Sequence, residues 1–111
     1  MAYRYRMTFT RPDADTEWPF WESSLNSTSF QTKANAWQDW YAGRSDSSLS
    51  TSTSADGNTI HIDLMFADEA AWNAFNSEAT AAGLEDQWAD SNVTSWMSSN
   101  NVTLSESNGT V

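Results

Sequence analysis

The residues able to do chemistry in this chain are few, and most of them fall on alternating positions. Arg4 and Arg6 share one parity of an N-terminal run, and His61 and Asp63 share one parity of a later run, with Ser50 and Ser52 on the segment before it. Alternation places each set on a single face of a strand. If the runs are neighbouring strands, Arg4 or Arg6 meets Asp63 across the ladder. Arg4, Arg6, His61 and Asp63 then form a polar face with two readings. In the favoured one it is a solvated surface or wet dimer interface held by cross-strand ion pairs. In the other it lines a small cavity for an anionic or carbonyl-bearing ligand.

Ser52, His61 and Asp63 also provide a nucleophile, a base and an orienting acid in type. A mid-strand serine, however, has no strand-to-helix elbow and no oxyanion donors, so hydrolysis is not expected. Asp13-Ala14-Asp15-Thr16-Glu17 spaces its carboxylates like the first half of a calcium loop. The pattern then fails, with Trp18 at the glycine position and Ser24 at the closing glutamate position. One histidine and no cysteine leave no usual transition-metal set, and no motif for any other cofactor is present. The expectation is therefore no metal and no cofactor. Seven tryptophans admit either a stacking platform or, as the favoured reading, a core built on large rings. Around Pro19, the crowded Trp18, Phe20 and Trp21 read as a loop folded over the end of that core, with a partner contact as the alternative.

A net charge of -10, with five basic residues among 111, gives phosphate and anionic lipid little to bind. Neither nucleic acid nor membrane is expected as a partner. The N-terminus alternates where an export signal would be continuously apolar, and no run is long enough for a transmembrane helix. A soluble, cytoplasmic protein is the expectation. Sequons at Asn26, Asn92, Asn101 and Asn108 carry little weight in so Ser/Thr/Asn-rich a chain.

The elements that must position these residues follow from periodicity. Tyr3, Tyr5, Met7 and Phe9 alternate with polar residues and predict a strand over Tyr3–Thr10, broken by Pro12. Phe30, Ala34, Trp37 and Tyr41 line one helical face between about Thr28 and Tyr41, with Gly43 at its C-terminal end. Asp56-Gly57 predicts a two-residue type I′ hairpin in which Ala55 pairs with Asn58, Thr53 with Ile60, Thr51 with Ile62 and Leu49 with Leu64. Asp68 is placed to cap a helix with Trp72, Phe75, Ala79 and Ala82 on its face and Gly83 at its stop. Residues 84–100 give mixed signals: Val93, Trp96 and Met97 have helical spacing among poor helix formers. A last strand is expected over Asn101–Glu106, followed by a frayed tail over Ser107–Val111.

The order β-α-β-β-α-β predicts a single α+β domain over residues 1–111. Its architecture is ferredoxin-like, a four-stranded antiparallel sheet with two main helices on one face. The stretch Ile60-His61-Ile62-Asp63-Leu64-Met65-Phe66 running into Ala67-Asp68-Glu69-Ala70-Ala71-Trp72-Asn73-Ala74-Phe75 resembles the dimeric α+β barrel group of ferredoxin-like proteins. That resemblance implies a homodimer through the open sheet face, in a group that includes cofactor-free monooxygenases and haem-degrading enzymes. It carries over no catalytic residue. Met7-Thr8-Phe9-Thr10-Arg11-Pro12-Asp13 and the low-lysine style also resemble small proteins of marine phages and marine metagenomes. The expected function is a non-enzymatic, homo-oligomeric interaction or structural protein, with a phage origin as the reading that this style suggests. A small enzyme or ligand-binding protein of the dimeric α+β barrel kind, using the open sheet face, is the alternative.

Overall fold

Alternating apolar residues make strands here because every second side chain can be buried on one side of a sheet. The computed structural model describes all 111 residues. It has four strands, β1 (Tyr3–Thr10), β2 (Ser47–Thr53), β3 (Thr59–Phe66) and β4 (Thr103–Thr110). Three helices accompany them, α1 (Ser29–Ala42), α2 (Glu69–Ala81) and α3 (Ser91–Ser99). The sheet is antiparallel throughout in the order β2-β3-β1-β4, which with the element order defines the ferredoxin-like α+β fold.

Register follows parity. Tyr3, Tyr5, Met7 and Phe9 lie opposite Phe66, Leu64, Ile62 and Ile60. The β2 pairing is the expected one, with Leu49 against Leu64 and Thr53 against Ile60. The turn itself differs from a type I′ pair. Only Gly57 has positive φ, at 77°, and the Gly57 amide donates to the Ser54 carbonyl at 3.0 Å. Asp56 accepts from the Ser54 hydroxyl at 2.6 Å and the Asn58 amide at 2.9 Å, which holds it out of the left-handed region.

Asp68 caps α2 by accepting from the Ala71 amide at 2.9 Å, and Gly83, at φ 77°, lets the chain leave the helix end. Gly43, by contrast, ends α1 at φ -88°, so no left-handed residue is needed there. Ser91–Ser99 forms α3 although Ser and Asn are poor helix formers. Asp90 caps it through the Asn92 amide at 2.9 Å, and Val93 and Met97 bury its inner face. The expected frayed tail is a correction. Ser107–Thr110 continues β4 against β1, Tyr3 opposite Thr110, and the Tyr3 hydroxyl donates to Asn108 Oδ1 at 2.6 Å.

Two separate hydrophobic clusters result. Phe9, Trp18, Leu25, Phe30, Ile60, Val93, Met97 and Val102 pack at one end of the sheet, where Trp18 and Pro19 fold over the core whereas Trp21 of the same loop stays exposed. Tyr3, Phe66 and Phe75 pack at the other end.

Candidate functional site

Between the two clusters the helix-side face of the sheet is only partly covered. The central rows, Tyr5–Leu64–Leu49 and Met7–Ile62, have core parity but floor a half-open cleft of about 690 Å³. That volume lies within the usual range of small-molecule sites. Trp37 and Tyr41 of α1, Trp72 and Phe75 of α2, and Trp88 and Phe20 from the connecting loops make its walls.

The tryptophans therefore do less core filling than composition suggests. Trp18 alone among the seven is fully buried, and Trp21 is 68% exposed. Trp72 stacks on Tyr5 with ring centroids 4.8 Å apart and also lies over Tyr3. Trp88 sets its edge against Phe9 at 4.8 Å, and Trp37 donates its indole N–H to the Glu85 carbonyl at 2.7 Å. These contacts fix the rings that border the opening.

Polar groups sit at defined places along the cleft. Glu106 and Asn108 share the helix-side parity of β4 with Leu104, which puts a carboxylate on the apolar face. The Tyr5 phenol is pushed up from its ordinary pKa first by burial and then by Glu106 beside it, with Asp86 adding to the effect. Asp86 also accepts from the Trp88 amide at 2.9 Å, which anchors the wall carrying Trp88. Gln87 Oε1 is buried and receives no hydrogen bond from the chain. No arginine, lysine or histidine lines the cleft.

The residues singled out in the sequence lie on the opposite face of the sheet. Arg6 grips Asp63 through two hydrogen bonds, Nε to Oδ1 at 2.7 Å and Nη2 to Oδ2 at 2.9 Å. The Arg6 guanidinium is the main cause that holds the Asp63 carboxyl below its ordinary range. His61 Nδ1 hydrogen-bonds the Thr8 hydroxyl at 2.9 Å. Ser52 stands opposite His61 in the ladder, yet Asp63 is occupied by Arg6, so serine, histidine and aspartate do not form a relay. Arg4 sits beside Gly109 and borders a shallow recess with Ser107 and Thr110. In the acidic loop, Asp13 Oδ1 accepts from the Asp15 and Thr16 amides and closes its own turn. Reasoning from sequence placed the chemistry on the polar face and missed the cleft. The signal that marks the cleft is Glu106 on the parity of Leu104.

The sequence matches no protein-family model and no curated protein. Similar solved structures include SnoaB, a cofactor-independent oxygenase from Streptomyces nogalater, at 11% identity and a TM-score of 0.43 over 99% of this chain and 92% of that one. A candidate antibiotic biosynthesis monooxygenase from Deinococcus radiodurans is 12% identical, with a TM-score of 0.43 over 100% of this chain and 92% of that one. Rv0793 from Mycobacterium tuberculosis is 10% identical, with a TM-score of 0.39 over 100% and 96%. None of these comparisons shows the resemblance to marine phage proteins. The expectation of a non-enzymatic structural protein is corrected here: the chain holds a ligand-sized aromatic cleft between sheet and helices. No helix is long and apolar enough to cross a membrane.

Proposed function

We propose that this chain is a small enzyme or ligand-binding protein of the dimeric α+β barrel kind, with its site in the cleft between sheet and helices. The observation that supports the reading is the split core. Five side chains of core parity, Tyr5, Met7, Leu49, Ile62 and Leu64, and four from the helix faces, Trp37, Tyr41, Trp72 and Phe75, border open space between the two clusters. Leaving such surface wet forgoes about 25 cal/mol per Å², a loss that an apolar ligand would recover.

Chemistry on that ligand falls to the floor. A weakly acidic C–H or O–H resting over Met7 would face Glu106 as a proton acceptor, while the Tyr5 phenol remains a donor well into the alkaline range. The open sheet face has a separate role in this proposal. It pairs with a second copy, Arg4, Arg6, His61 and Asp63 forming the polar strip among small serines. Ser50→Arg would then shift the particle from dimer to monomer in sedimentation equilibrium.

The cleft is tested by titrating a neutral naphthalene-sized alcohol against tryptophan fluorescence. Saturable quenching is expected in the native chain, and its loss in Leu64→Trp, whose indole fills the floor. Quenching that is unchanged in Leu64→Trp would place the ligand elsewhere. Oxygen uptake in the presence of an electron-rich phenol is the assay that would put the chain beside the named oxygenases.

A further inference from the structure

We infer that the cleft selects a planar aromatic ligand carrying a protonated amine, and discriminates against the same ring carrying an acid. The inference rests on the cleft being a ligand site and adds the charge of its occupant. Two independent features of the lining point the same way.

The first is electrostatic. Glu106, opposite Met7 in the ladder, and Asp86, whose carboxylate accepts from the Trp88 amide, both line the cleft, and no basic side chain lines it to offset them. The basic residues are placed elsewhere: Arg6 is held by Asp63, Lys33 by Asp90 at 2.9 Å, and Arg44 by Asp46 and Glu78. The second is the wall chemistry. Trp37 and Trp88 border the cleft, and an open indole face attracts a cation through the ring quadrupole, an attraction that grows as water is excluded. An anionic ligand would meet two carboxylates, with nothing to neutralise it.

The test compares three probes of one shape: naphthalen-2-ylmethylamine, the corresponding neutral alcohol, and 2-naphthoic acid, each titrated by calorimetry at pH 7 and low salt. The amine is expected to bind about tenfold tighter than the alcohol, with the acid weaker than both, as one unit charge near two carboxylates implies. In the Asp86→Asn/Glu106→Gln double variant the ratio of amine to alcohol affinity should collapse to less than about threefold. Asparagine keeps the cap on the Trp88 amide, and Glu106 is exposed, so this variant is expected to fold. Equal binding of amine, alcohol and acid by the native chain would overturn the charge selection and leave the cleft as a ligand site. Binding of none of the three would overturn the cleft itself. An amine preference that survives in the double variant would also overturn the inference, because the carboxylates would then not be its source.

Discussion

Asp63 shows what a single side chain contributes on the sheet's open face. Its side chain is 13% exposed and that of Arg6 is 26%, so the two-point pair between them is only partly screened by water. Asp63→Asn keeps the size and one acceptor but loses the charge, and is expected to lower unfolding free energy by about 2 kcal/mol in urea titrations. The pH dependence follows from the direction of the shift. Asp63 is lowered in the folded chain, chiefly by Arg6, and Asp90 is lowered by the Ser29 hydroxyl and Lys33. Both contributions are therefore fully present above the unfolded carboxylate pKa of about 4, and are lost as pH falls through the folded values. The fall in stability between about pH 4 and pH 2 should be shallower in Asp63→Asn than in the native chain. An identical acid slope in the two proteins would mean that Asp63 is not stabilised by Arg6.

At the scale of elements, β1 carries two kinds of inward residue that the sequence cannot tell apart. Phe9 is fully buried against Trp88 and Phe20, whereas Met7, two residues earlier on the same face, borders the cleft. Phe9→Ala should cost about 3–5 kcal/mol in urea unfolding. Met7→Ala should cost well under half of that, because the space it vacates adjoins an opening already present; comparable losses would mean that the cleft is closed. This contrast marks the limit of what was legible beforehand. Parity gave the correct face for Tyr3 to Phe9 and Ile60 to Phe66, Asp56-Gly57 the right hairpin register, and Asp68 the start of α2, since each is a local rule. The pairing of Ser107–Thr110 with β1 was hidden because small polar residues show no alternation and the partner lies about a hundred residues away. The helix α3 was obscured by Ser and Asn, and becomes stable only with the Asp90 cap and burial of Val93 and Met97. The cleft was missed for a related reason: parity tells which side a residue faces, not how closely the helices above it pack.

For the whole molecule the governing quantity is charge. Fifteen acidic residues face five basic ones, and the ion pairs of Arg6, Lys33 and Arg44 engage only a minority of the carboxylates. The rest repel one another across a small domain, and that repulsion is relieved when the chain unfolds. Added salt should act on both terms. It weakens the exposed pairs of Arg44, which are worth little, and it screens the excess negative charge within a Debye length of about 10 Å at 0.1 M. The repulsive term involves more groups, so the melting temperature should rise between about 10 mM and 500 mM sodium chloride. Differential scanning calorimetry with sodium chloride reads this directly, and a melting temperature that falls would mean that the ion pairs outweigh the repulsion. The same screening should weaken capture of the cationic naphthyl probe while leaving the neutral alcohol unaffected. Salt would then separate two consequences of one field, stabilising the fold as it lowers the affinity of the cleft for an amine.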